Sequence, residues 1–119
     1  MATKKSFTDI EQSRKLTEIL PIESADMCWT PFDEKWDAYL GAPNPDAIKK
    51  EIPAWSLAAL LSVLPTKLQT VLAINDFQGD RKEKYVIGSV EHDKYDCYAD
   101  NPVDACYELI LKLHELQML

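Results

Sequence analysis

Three runs rich in β-branched and aromatic residues, Thr70 to Phe77, Lys84 to Val90 and Tyr95 to Ala99, are joined by links suited only to hairpins. The first link, Gln78-Gly79-Asp80-Arg81-Lys82-Glu83, is one glycine among polar and charged residues, and the second, Glu91-His92-Asp93-Lys94, suits a tight turn. A parallel crossover needs about a dozen residues or more, so these strands must pair antiparallel. The centre of the fold is therefore expected to be an antiparallel meander of three strands, or of four if the upstream segment adds one.

The segment after the meander carries the best-marked helix signals. Asn101 is placed to cap it, Pro102 occupies the first helical position, where a missing N–H costs nothing, and Asp104 faces the positive end of the helix dipole. Val103, Cys106, Leu109, Ile110, Leu113 and Leu116 recur at three- and four-residue spacing and form one apolar stripe. Asp104, Glu108, Lys112 and Glu115 fall on the outer side, with Glu108 and Lys112 in the favourable i,i+4 order. This long C-terminal helix is expected to cross the sheet.

Upstream, Thr8 and Glu11 read as a capping box for a helix from Thr8 to Leu20 that Pro21 stops. Its apolar stripe is thin, so it must lie on other structure. Between Pro21 and Pro53 the prolines Pro31, Pro43 and Pro45 allow only short pieces. Met27 to Thr30 fits a strand, and Lys35 to Leu40 fits either a strand or a helical turn. Trp29, Phe32, Trp36 and Tyr39 carry too much apolar area for a free linker, so this segment is expected to cover part of the core. Ser56 then caps a short helix, Leu57 to Leu64, apolar on nearly every side and closed by Pro65. Together these elements predict an α+β domain spanning 1–119: a meander packed by an N-terminal helix, a short buried helix and a long C-terminal helix.

The chain's 119 residues suit one domain, and 46% apolar with 28% charged residues is the composition of a packed globule rather than a disordered chain. No apolar run approaches the roughly 18 residues of a membrane span. The N-terminus Met-Ala-Thr-Lys-Lys leads into Ser6, Phe7, Thr8 and Asp9 instead of the apolar block of a signal peptide, so a cytoplasmic location is expected. Cys28, Cys97 and Cys106 are odd in number and irregularly spaced, which predicts reduced thiols. A net charge of −7 provides no basic field for nucleic acid or for a membrane surface.

Chemistry leaves few marks. Three glycines, Gly41, Gly79 and Gly88, cannot build a glycine-rich phosphate cradle, and the common nucleotide, hydrolase and zinc signatures are missing, so no cofactor is expected. The densest group of possible ligands is His92, Asp93, Asp96 and Cys97. It supports a small metal-binding protein or enzyme as one reading, with His92, Asp96 and Cys97 as ligand candidates. A charged hairpin turn followed by a strand cysteine explains the same residues, and strand alternation would send Asp96 and Cys97 to opposite faces. His114 sits where an imidazolium complements a helix C-terminus.

Alternation within the strands assigns Leu72, Ile74, Val86 and Val90 to the face under the final helix. The other face carries Phe77, Tyr85, Ile87, Tyr95 and Cys97, too apolar for plain solvent exposure. Either Trp29, Phe32 or Trp36 covers it, or it stays open as a surface for a protein partner or for self-association, with Phe77, Tyr85, Ile87 and Tyr95 as the contact residues.

Four blocks carry a resemblance: Glu11-Gln12-Ser13-Arg14-Lys15-Leu16, Ser24-Ala25-Asp26-Met27, Pro53-Ala54-Trp55-Ser56-Leu57 with Leu60-Leu61, and Asn101-Pro102-Val103-Asp104-Ala105-Cys106-Tyr107-Glu108. The chain resembles a family of small proteins, without known biochemical function, encoded in phages, prophages and mobile elements of gut anaerobic bacteria. The resemblance implies an accessory protein of a mobile element and supplies no catalytic residues. The favoured reading is a non-enzymatic protein that acts by binding another protein. An acidic immunity or antidote protein is a third reading.

Overall fold

The computed structural model describes residues 5–32, 35–41, 51–75 and 82–119. They group into two compact units, Ser6–Val63 and Leu64–Leu119, with Lys5 belonging to the second.

In the first unit, helix α1 (Ile10–Thr17) precedes three strands, β1 (Met27–Phe32), β2 (Lys35–Leu40) and β3 (Ile52–Ala54), and a short helix α2 (Leu57–Val63). The strands form an antiparallel sheet in the order β2-β1-β3. Residues 35–40, open between strand and helical turn on sequence grounds, are a strand, paired with β1 from Met27↔Leu40 to Phe32↔Lys35. The short strand β3 was hidden by Pro53, which reads as a break but is tolerated at a sheet edge. Pro31 is accommodated similarly: β3 pairs with β1 only as far as Trp29, so Pro31 lies where β1 is bonded on one side.

The expected capping box exists but is shifted by one residue. Asp9 Oδ1 accepts from the Gln12 N–H at 2.7 Å, and Gln12 Oε1 accepts from the Asp9 N–H at 3.2 Å. Thr8 is unavailable as a cap because its hydroxyl is committed elsewhere, to the Ser13 hydroxyl at 2.8 Å and to the Trp55 N–H at 3.1 Å. Helix α1 ends at Thr17, before the stop at Pro21, and buries Ser13 and Leu16. It packs on β3. Just after β3, Trp55 is wholly buried and its indole N–H donates to Ser24 Oγ at 2.9 Å. Ser56 caps α2 as expected, accepting from the Ala59 N–H at 3.2 Å. That helix buries Ala59 and Leu60 and leaves Ala58, Leu61 and Ser62 at the surface, a more open setting than its apolar composition suggests.

The second unit is the meander and its helix: β4 (Thr70–Ile74), β5 (Tyr85–Ser89), β6 (Cys97–Ala99) and α3 (Pro102–Glu115). All pairings are antiparallel, in the order β4-β5-β6. The class expected from sequence, α+β with antiparallel strands and a long C-terminal helix, is the class observed. Two details differ. Tyr95 is not in β6 but in a 3-10 turn, Asp93–Tyr95, whose carbonyl at Asp93 accepts from the Asp96 N–H at 3.0 Å. Leu72 and Ile87, assigned to opposite faces from alternation alone, are register partners, as are Ile87 and Cys97. Residues directly opposite in an antiparallel ladder point the same way, so all three share one face. By the same register Ile74 lies with Tyr85 and Ala99, while Val86 lies with Ala73 and Tyr98 on the other face.

Helix α3 forms as its signals specify. Asn101 Oδ1 accepts from the Asp104 N–H at 2.8 Å, and Val103, Ala105, Cys106, Leu109, Ile110 and Leu113 are buried. It packs against β5 and β6, the strands that carry the buried pair Ile87 and Cys97. Asp104 also binds Lys5 Nζ at 2.7 Å. Lys112 reaches the Lys94 carbonyl at 3.3 Å. Leu116, expected on the stripe, is exposed because the helix ends one residue earlier. There the Met118 N–H bonds the Leu113 carbonyl and Gln117 turns left-handed, the geometry of a Schellman motif.

Two hydroxyls make opposite predictions. Thr8 has two buried partners, so Thr8→Val should lower the unfolding free energy by roughly 2–3 kcal/mol. Thr70 Oγ1 is buried and, among the described residues, lacks a hydrogen-bond partner. Removing that hydroxyl in Thr70→Val should raise stability by about 1 kcal/mol. Urea titrations with an unchanged m-value would check both.

Candidate functional site

The features of the second unit that could meet a ligand or partner are the outer edge of β4 and a groove near its start. Both follow from the way the ladder is bonded. The Val90 N–H donates to the Gln69 carbonyl at 3.1 Å, and the Asn75 N–H donates to the Lys84 carbonyl at 2.7 Å. Hydrogen-bonding direction alternates along a strand, so odd-numbered residues of this segment bond inward to β5. The N–H and C=O groups of Thr70, Leu72 and Ile74 then point away from it. Among the described residues β4 pairs with β5 alone. It carries no charged residue and no proline, and Val71 and Ile74 are 48% and 67% exposed. It thus lacks the charges and the proline that commonly blunt a sheet edge.

The groove, about 370 Å³, has an apolar part made by Pro65, Leu68 and Met118 and a polar part made by Lys67, Ser89, Glu91, His92 and Tyr95. A 3-10 turn, Thr66–Leu68, supplies one wall and the end of β5 another. Ser89 holds the two together: its hydroxyl donates to the Leu68 carbonyl at 2.7 Å and accepts from the Glu91 N–H at 3.3 Å. Left-handed Gln69 and Gln117, the non-glycine residues with positive φ among those described, each adjoin a lining residue. Tyr95 is only 8% exposed. Lys94 Nζ lies 5.0 Å from its ring centroid and the His92 ring meets it edge-on at 6.3 Å. The Tyr95 hydroxyl is not one of the buried, unpartnered side-chain atoms of the described residues.

The four residues expected to form an aromatic contact face are not brought together as one. Ile87 is fully buried between Leu72 and Cys97, Tyr85 is half-buried, and Tyr95 lies in the turn and lines the groove. Phe77 lies outside the described residues. Alternation alone could not show this, because it orders side chains within a strand but not between strands. The β4 edge was missed for the same reason: which strand ends a sheet is a property of pairing.

The ligand candidates disperse as well. His92 is exposed, Asp96 lies against Gly88, and Cys97 is buried with Sγ 3.5 Å from the Tyr95 carbonyl. Among the described residues no group of three or more His, Cys, Asp or Glu is placed to hold a metal ion. Burial first, then the nearby Asp93 carboxylate, raises the Asp96 pKa, with Lys112 opposing. His114 Nδ1 lies 3.1 Å from the Leu119 carbonyl.

All three cysteines are buried, and none is in a disulfide. Cys28 Sγ donates to Glu51 Oε2 at 3.0 Å, and the same oxygen accepts from Thr30 Oγ1 at 3.0 Å. Burial and that carboxylate push the Cys28 thiol up, away from thiolate chemistry. Burial pushes Cys106 up to about 12. No helix among the described residues is long and apolar enough to cross a membrane. Comparison with protein-family models, with curated proteins and with solved structures gives no match.

Two measurements test this description. A thiol whose folded pKa exceeds its ordinary value of 9.0 stabilises the fold below pH 9, and that contribution is lost as pH rises toward about 12. The alkaline fall in unfolding free energy should therefore be shallower in Cys106→Ala than in the native chain. A Cβ at Gly88 would strike Asp96 Oδ1 and come within 3.2 Å of the Asp96 Cα. Gly88→Ala should cost about 1–3 kcal/mol in the same assay, because the backbone cannot yield as a side chain can.

Proposed function

We propose that this chain is a non-enzymatic accessory protein of phage or prophage origin that works by binding another protein. The origin rests on the four sequence blocks and their resemblance to small proteins of mobile elements. The binding mode rests on one observation, the uncharged outer edge of β4, where Val71, Ala73 and Ile74 are exposed and three residues direct backbone donors and acceptors outward. An extended segment of a partner laid along that edge would satisfy those groups as an added strand, with its side chains meeting exposed aliphatic residues. Thiols held in the protonated state and the scattered histidines and carboxylates favour binding over catalysis.

Ile74→Lys and Val71→Lys place charge on the edge without touching the buried row. Each variant should melt within about 2 °C of the parent, as surface substitutions do. In affinity capture from a bacterial host carrying the element, a protein retained by the parent should be lost from both variants. Retention of the same protein by both would remove β4 as the contact surface.

A further inference from the structure

We propose that the outer edge of β4 pairs with the same edge of a second copy of this chain, joining two meanders into one antiparallel sheet. The inference rests on the reading of β4 as the contact edge and names an occupant for it. Four sheet edges lie among the described residues, and three of them carry a blocking device. Strand β2 has Lys35 and Asp37, β3 has Pro53, and β6 is flanked by Asp96 and Asp100. Strand β4 has neither charge nor proline, and from Pro65 to Asn75 the chain holds one charged residue, Lys67. Two copies of a chain with a net charge of −7 repel as wholes, yet along this edge no like charges come opposite each other.

The bonding phase makes this edge its own complement. Thr70, Leu72 and Ile74 direct their N–H and C=O groups away from β5, so a two-fold axis through Leu72, perpendicular to the sheet, sets Leu72 opposite Leu72 of the copy and Thr70 opposite its Ile74. Each outward donor then meets an outward acceptor. In the same register Val71 lies opposite Ala73, a larger side chain against a small one, and Thr70 with Ile74 is a β-branched pair. The faces match as well. Leu72 and Ile74 stand on the same face as the buried Ile87 and Cys97, and a perpendicular two-fold keeps that face on one side of the joined sheet. Half-buried Leu72 and exposed Ile74 of both copies thereby extend the buried row across the junction. Five residues a side bury well under the roughly 1,200 Å² of a standard interface, so the dimer is weak.

Sedimentation equilibrium of the full chain should show a monomer–dimer equilibrium with a Kd on the order of 100 μM, as suits an interface of this size. Val71→Lys and Ala73→Glu change exposed positions and should leave the melting temperature within about 2 °C of the native chain. Each alone sets its new charge across from an uncharged side chain and diagonal to the same charge of the copy, and should weaken the dimer about fivefold. Mixing the two variants brings the introduced lysine opposite the introduced glutamate. The mixed pair should therefore associate about threefold more tightly, or better, than either variant with itself. The proposal is overturned if the native chain remains a monomer, if it forms open assemblies larger than a dimer, if both variants associate as the native chain does, or if mixing restores nothing. A monomeric native chain whose captured host protein is still lost from Ile74→Lys and Val71→Lys removes only the second copy and leaves β4 as the edge for another protein.

Discussion

The first unit depends on finding partners for polar groups that its core takes out of water. Thr8 and Trp55 carry that constraint. The Thr8 N–H donates to the Trp55 carbonyl at 3.0 Å, the Thr8 hydroxyl accepts from the Trp55 N–H, and the same hydroxyl meets Ser13 on α1. One threonine thereby ties the chain ahead of α1, the helix itself and the stretch after β3. Trp29 adds to it, donating its indole N–H to the Thr8 carbonyl at 3.0 Å with its ring against Phe7. A buried hydroxyl without such partners costs on the order of 1–3 kcal/mol, which is why the cap of α1 moved to Asp9 and left Thr8 inside.

In the second unit the governing constraint is register. Once Ile87 faces Leu72 on one neighbour and Cys97 on the other, the closed and open sides of the sheet are decided together. The aliphatic face of α3 then supplies the apolar partner that β5 and β6 need. The same bonding phase directs Thr70, Leu72 and Ile74 outward, so the feature offered to a partner is a by-product of the pairing that builds the core. The thiols belong to the interior of this architecture. Cys97 and Cys106 behave as small apolar side chains, and Cys28 is held protonated beside Glu51.

Much of the fold was legible because it rests on local signals. The Asn101-Pro102 start of α3, its three-and-four stripe, the Ser56 cap and the two hairpin links depend on backbone sterics and on unpaired N–H groups within a few residues. Strand β3 was not legible, since Pro53 suppresses the strand signal and only pairing with Cys28 reveals it. Of the candidate site, His92 and Tyr95 were marked in advance, the one for its imidazole and the other for its ring. Their meeting with Lys67, Leu68 and Met118 was not, because those residues lie far apart in the chain.

By itself, then, the sequence determined the elements that are closed by short-range physics: antiparallel hairpins forced by short links, helices begun by Ser56 and Asn101, and a C-terminal stripe that must be buried. Only tertiary structure decided which strands end their sheets, which of Leu72, Ile74, Ile87 and Cys97 share a face, and which polar groups stand at the groove. Those outcomes depend on register and on contacts between distant segments, and side-chain alternation, being a property of one strand at a time, carries no information about either.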